Sequence, residues 1–126
     1  MRQNISSGSP WEEIIGYSRA VKIGNVIEIS GTTASSDNGI VGKNDLYAQT
    51  KFILEKVSDV LAEAGATMQN VVRTRMFLTN ITQWEEAAKA HGEFFKTIKP
   101  VTTMVEVSNL IDADMLIEIE ITAIID

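Results

Sequence analysis

The feature that most restricts this chain is a change of hydrophobic period. From about Asp45 to Ala64, the residues Ile53, Val57, Val60, Leu61 and Ala64 recur at three- and four-residue spacing, and Gly65 follows. Such spacing draws an apolar stripe along a helix, and glycine just past its end suits a left-handed cap. The next segment, "VVRTRMFLT" from Val71 to Thr79, alternates at two and is rich in β-branched residues, the pattern of a strand. Thr82-Gln83-Trp84-Glu85 has capping-box form and predicts a second helix, with Trp84, Ala88, His91, Phe95 and Ile98 on one stripe and Pro100 ending it. Before the first helix, "AVKIGNVIEIS" reads as a hairpin turning at Gly24-Asn25, its second arm running from Val26 to Ser30. After the second, "VTTMVEV" and "LIEIEITAII" read as two strands joined by "NLIDADM". The order ββ, α, β, α, ββ predicts one domain over 1–126, a two-layer α+β fold with an antiparallel or mixed sheet and both helices on one face.

Strand parity then sorts the side chains. Alternate counting places Ile27, Ile29, Val72, Met76, Leu78, Val101, Val105, Val107, Ile117, Ile119 and Ile121 under the helices. The other face receives Glu28, Ser30, Arg73, Arg75, Phe77, Thr102, Met104, Glu106, Glu118, Glu120 and Thr122. Charges of both signs interleaved with Phe77 and Met104 describe a surface that another copy of the chain would cover. An open antiparallel face with a few exposed apolar residues is the plainer alternative.

Composition narrows the function. A net charge of -6, with eleven scattered Lys and Arg, repels a phosphate backbone, so no nucleic-acid partner is expected. No cysteine is present, which removes disulfides, thiolate metal sites and cysteine nucleophiles. No apolar run approaches the ~18 residues of a membrane span, and "MRQNISSGSPWEE" lacks a signal-peptide core; a cytoplasmic protein is expected. One histidine and no spaced His/Asp/Glu cluster leave no metal or cofactor to expect.

The polar face carries the remaining chemistry. Glu118 and Glu120, near Glu106 and Glu28, repel one another unless Arg73 and Arg75 intervene or one acid stays protonated. A carboxylate of raised pKa beside a cation is a general acid or base; an ion-pair network fixing a subunit interface is the other reading of the same residues. His91 shares its stripe with Trp84 and Phe95, which favours a hydrogen-bonded core histidine over a catalytic one.

Three long segments, "GYSRAVKIGNVIEISGTTA", "AQTKFILEKVSDVLAEAGATMQNVVRTRMFLTNI" and "PVTTMVEVSNLIDADMLIEIEITAII", resemble the reactive intermediate deaminase A family (RidA, YjgF-type) over nearly the whole chain. The resemblance implies a chorismate-mutase-like subunit, a homotrimer whose sheets line a barrel, and clefts between subunits where reactive enamines and imines are hydrolysed without a cofactor. By the same resemblance Tyr17 and Glu120 are the catalytic candidates and Ser30 and Gly31 line the substrate site. Deaminating members usually read Pro-Ala-Arg-Ser where this chain reads Pro100-Val101-Thr102-Thr103, so the chain resembles an arginine-lacking branch. A hydroxyl offers one neutral hydrogen bond where guanidinium offers a charged pair, so Thr102 and Thr103 imply an altered substrate, with Arg75 and His91 as further binding candidates. The leading expectation is a hydrolase or deaminase acting on a small enamine, imine or related metabolite. The alternative is a noncatalytic metabolite-binding or chaperone-like trimer. The ribonuclease role described for some members is disfavoured by the acidic charge.

Overall fold

The computed structural model describes residues 1–126. Its elements are β1 (Arg2–Ile5), α1 (Pro10–Ile15), β2 (Ala20–Ile23), β3 (Val26–Thr32), β4 (Ser35–Ser36), β5 (Gly39–Ile40), α2 (Leu46–Glu63), β6 (Val71–Leu78), α3 (Trp84–Phe95), β7 (Val101–Glu106) and β8 (Ile117–Ile124). Six strands form one mixed sheet in the order β1-β2-β3-β8-β6-β7, and β4-β5 make a separate small hairpin. All neighbours in the large sheet are antiparallel except β6 and β7, whose parallel pairing follows from the α3 crossover between them. The core lies between the sheet and the helices: Ile53, Leu54, Val57 and Leu61 of α2 meet Ile27, Met76, Leu78, Ile117, Ile119 and Ile121.

Four elements escape the sequence reading: β1, α1 and the two short strands of the β4-β5 hairpin. β1 is an edge strand, and the short helix α1 has no apolar period to announce it, being set instead by its ends. Ser9 accepts a hydrogen bond from the Trp11 amide, Pro10 occupies the first turn, and Gly16 closes the helix at φ 87°. The buried Glu12 carboxylate then fastens the preceding loop by accepting from Ser6 Oγ, Ser7 N and Ser7 Oγ.

Four expectations are corrected. The Thr82–Glu85 capping box does not form: Thr82 Oγ1 donates to the nearer Asn80 Oδ1 at 2.6 Å, Asn80 caps a 3-10 turn over Ile81–Gln83, and Gln83 gives α3 no side-chain cap. Trp84 is exposed, and the inward residues of α3 are Ala87, Ala90 and Phe95. On β7 the parity is the reverse of the count. Register pairs Thr74 with Thr102 and Met76 with Met104, so Thr102 and Met104 face the helices while Val101 and Val105 are exposed. An edge strand with β-branched residues on both faces carries no clear alternation for counting to read. Similarly, a register shift between Val71 and Arg73 turns Val71 into the core and leaves Val72 exposed.

A buried glutamine organises the end of the sheet. Gln49 Nε2 donates to the carbonyls of Gly42 at 3.1 Å and Asp114 at 2.9 Å, while its Oε1 accepts from the Leu116 amide at 2.9 Å. One side chain on α2 thereby fixes two loops, one of which carries Ile111 and Met115 to the rim of the principal cleft.

Candidate functional site

The sheet is interrupted where β3 meets β8. Ile29 pairs with Ile121 and Thr32 with Ile119, so Ser30 and Gly31 together oppose Glu120. Such a bulge adds one residue to a strand and redirects its neighbours. Ser30 is held there by its backbone amide on the Arg19 carbonyl (2.9 Å) and its hydroxyl on the Ser18 carbonyl (2.7 Å).

A cleft of about 760 Å³ opens beside the bulge, lined by Tyr17, Arg19, Ser30, Gly31, Lys56 and Glu118, among others. The αL turn at Gly16 delivers Tyr17, whose amide caps α1 on the Glu12 carbonyl. Arg19 lies over the Tyr17 ring, its guanidinium carbon 5.7 Å from the centroid, and Nη2 donates to the Gly31 carbonyl at 2.8 Å. Its Nε is buried without an acceptor. Lys56 reaches across from α2 and donates to the carbonyls of Thr33 and Ser35. Glu118 stands against Gly31, where an added Cβ would meet its carboxyl carbon at 2.8 Å and its carboxyl oxygen closer still.

The electrostatics differ from group to group. Burial, and then the charge of Glu120, push the half-buried Glu118 carboxyl above its usual range, with Arg19 partly offsetting them. Burial and the neighbouring Arg19 pull the Lys56 ammonium down. Burial alone would raise Glu12, but hydrogen bonds from Ser7 and Ser6, together with Arg19, outweigh it and hold that carboxyl low.

The residues expected from sequence fall in three places. Tyr17, Ser30 and Gly31 share the principal cleft. Arg75 and Glu120 line a second depression of about 310 Å³ with Glu28, Arg73 and Thr122, meeting Ser30 from the other side. There Arg75 Nη1 lies 3.5 Å from Glu120 Oε1, both side chains about half exposed, so the pair contributes at most about 1 kcal/mol. Thr102 and His91 occupy the third place, on the helix side of the sheet, where Thr102 stays exposed at the β7 edge. Thr74 Oγ1 is 2.6 Å from Thr102 Oγ1 and 2.9 Å from His91 Nε2, and the His91 ring leans on Phe95 at 4.6 Å. Burial holds the His91 imidazole below its usual pKa. Thr103 lies beside Arg75 on the exposed face. The sequence reading did not single out Arg19, Lys56 or Glu118 for the cleft. Arg19 stands two residues from Tyr17, which places both on one side of an extended segment, and that spacing was the available signal.

No cluster of three or more His, Cys, Asp or Glu side chains is arranged to hold a metal ion, and no helix is long and apolar enough to cross a membrane. A mixed six-stranded sheet backed by two long helices, with a bulge-centred cleft lined by two acids and two cations, defines the class: a small α+β protein with a charged cleft beside a sheet bulge. A family model described as Endoribonuclease L-PSP matches residues 9–125, and the chain belongs to that family, the YjgF/RidA family. A solved Mycobacterium tuberculosis structure, described as a member of the highly conserved YjgF/YER057c/UK114 family, is 44% identical with a TM-score of 0.90, covering 99% of this chain and 100% of its own. A Yersinia pestis protein of the conserved Rid family is 30% identical with a TM-score of 0.85, over 99% and 100% of the two chains. A RutC family protein of Pyrococcus abyssi is 35% identical over 108 residues, 85% of this chain and 84% of that one. The sheet and helix arrangement is accordingly the chorismate-mutase-like one of this family.

Proposed function

We propose that the cleft hydrolyses a small imine or enamine to a carbonyl compound and ammonia, with Glu118 as general acid and base. The observation that carries this reading is a half-buried carboxyl of raised pKa set against Gly31, in a cleft shared with Tyr17 and Arg19. Such a group takes a proton readily at one step and returns it at the next. Protonated Glu118 gives its proton to the imine nitrogen, and the carboxylate so formed takes one from the water that adds to the C=N carbon, giving the carbinolamine. Collapse of that intermediate expels ammonia and leaves C=O. The hydroxyl of Tyr17 orients the attacking water, and no redox change occurs. In this reading Glu120 acts through charge, since its negative field helps keep Glu118 protonated.

The working unit of this proposal is a homotrimer in the cytoplasm. Association between copies draws its support from the open face of the sheet, where Val72, Val101 and Val105 are exposed beside Arg73 and Arg75. Sedimentation as three copies would agree; a monomer would remove the inter-subunit part of the reading. Thr102 in place of an arginine supports reading the chain as one of an arginine-lacking branch, with a substrate held by other groups. The decisive assay is ammonia release from 2-iminopropionate generated in place by an amino-acid oxidase, comparing wild type with Glu118→Gln. Equal rates with and without protein reject hydrolysis of that substrate.

A second reading, a noncatalytic trimer that stores or delivers a metabolite, draws on the tied hydroxyls of Ser30 and Thr102, which both serve the fold. A metabolite that raises the melting temperature and is recovered unchanged would favour it. The net charge of -6 gives no support to an RNA-cleaving role.

A further inference from the structure

The chain's ion pairs are Lys43 with Asp114 and Arg75 with Glu120. Arg19 and Lys56 belong to neither. Both are half-buried, both line the same cleft, and their hydrogen bonds go to backbone carbonyls rather than to any carboxylate. Two half-buried cations with no carboxylate in contact gain from an anion that joins them. The acids that line this cleft do not serve: Asp37 is exposed on the β4-β5 turn, and Glu118 forms no ion pair with either cation. Glu12, close to Arg19, is already saturated by Ser6 and Ser7. The buried Nε–H of Arg19, lacking an acceptor, marks the same deficiency.

The same cleft is also lined by exposed large apolar side chains. Trp11 is 51% exposed, Ile15 62% and Ile111 75%, a concentration of large hydrophobic side chains on a cleft rim that water alone does not favour. A volume of about 760 Å³ also exceeds the needs of a three-carbon molecule.

We propose that the cleft selects a small carboxylate bearing a bulky apolar group, Arg19 being the specificity residue that holds the carboxylate, assisted by Lys56, while Trp11, Ile15 and Ile111 receive the apolar group. Here Arg19, fixed on the Gly31 carbonyl and the Tyr17 ring, presents its remaining donors already oriented, so little side-chain freedom is lost on binding. Combined with the hydrolytic reading, on which it rests for its substrate class, the proposal points to 2-imino acids with aromatic or branched side chains. Their 2-oxo acid products are stable probes for the same contacts.

The test is titration calorimetry of the full chain with phenylpyruvate, with pyruvate, and with phenylacetone, in which methyl replaces the carboxylate. Wild type is expected to bind phenylpyruvate at least about tenfold tighter than either comparison compound, the usual worth of a charged hydrogen bond or of burying a ring. Arg19→Gln should lose about tenfold or more for phenylpyruvate and nothing for phenylacetone, and Lys96→Gln, an equal charge change just past the end of α3, should leave both unaltered. Trp11→Ala, on the exposed rim where folding does not depend on it, should erase the preference for phenylpyruvate over pyruvate. Any of three results overturns the proposal: no binding of phenylpyruvate by wild type, equal binding by Arg19→Gln, or no discrimination against phenylacetone. Arg19-dependent binding without ammonia release from any imine would sink the hydrolytic reading and leave the carboxylate site standing. Turnover with unchanged KM in Arg19→Gln would do the reverse.

Discussion

Replacing Gly31 by alanine should disable the cleft while sparing the fold. Gly31 has ordinary strand backbone, so alanine meets no conformational penalty there, and its Cβ would lie 2.8 Å from Glu118 Cδ and 3.1 Å from Cγ, well inside the 3.5–4.0 Å of a comfortable carbon contact. The obstacle is the end of a flexible side chain, so Glu118 yields and the backbone stays. Moving one side chain to another rotamer costs about 0.5–1.5 kcal/mol, and the stiffer unfolded chain returns about 0.4–1 kcal/mol. Net stability should therefore change by less than about 1 kcal/mol. Catalysis has no such compensation: a displaced general acid-base group removes on the order of 10²-fold or more in rate. Ammonia release from 2-iminopropionate measures this loss, and thermal melting measures the first quantity. Linkage supplies an independent check. Because burial raises the Glu118 pKa in the folded chain, its contribution to stability is complete below the unfolded pKa and is lost as pH rises through the folded value. Freeing the carboxyl from the cleft removes that loss, so Gly31→Ala should gain on wild type as pH rises from about 4 to about 7. Glu118→Gln combined with Gly31→Ala should be no slower than either alone, since both remove the same group. Wild-type turnover in Gly31→Ala, a collapse of more than about 3 kcal/mol, or strictly additive rate losses would each refute the reasoning.

Other outcomes follow from single groups. Gln49→Leu should destabilise by about 3 kcal/mol in urea titrations, because it strands two carbonyls and an amide; a loss below about 1 kcal/mol would show that water replaces the glutamine. Held neutral by burial, His91 contributes stability that is present above about pH 6.5 and lost as pH falls below it, so wild type should weaken between about pH 7.5 and pH 5.5 more than His91→Gln does in parallel melts. Thr74→Val should cost about 1 kcal/mol by thermal unfolding and leave cleft ligand affinity unaltered, which separates the Thr74–Thr102–His91 cluster from the site. Arg75→Ala should change stability by less than about 1 kcal/mol by the same measurement, its partner being half exposed.

Much of the architecture was legible because long segments kept one period. Ile53 to Ala64 announced α2, and Ile117, Ile119 and Ile121 announced the core side of β8. Legibility failed where local competition decides. Asn80 displaced Thr82 as a cap, and β7, with valine, threonine and methionine on either side, left its facing to register with β6. The site was half visible. The resemblance carried by "GYSRAV" and "ISG" named Tyr17, Ser30 and Gly31, which share the cleft, but the cleft's acid depends on a bulge that no alternation count can see, and the resemblance named Glu120, which lies in the neighbouring depression, rather than Glu118. Lys56 depends on the tertiary placement of α2 against the β4 loop, which spacing along one helix does not encode.

The surplus residue at Ser30–Gly31 also separates two jobs within one strand. Ile27 and Ile29 belong to the hydrophobic interior before it, and Thr32 and Ala34 resume that interior beyond it, so the intervening pair can be altered without disturbing either anchorage. Removing one of the two, in contrast, would rotate everything downstream by half a turn, exposing Ala34 and driving Thr33 inward. The fold is thus tolerant of residue identity at this position and strict about residue number, while the cleft adds its own demand for glycine at 31, where any Cβ would press on Glu118.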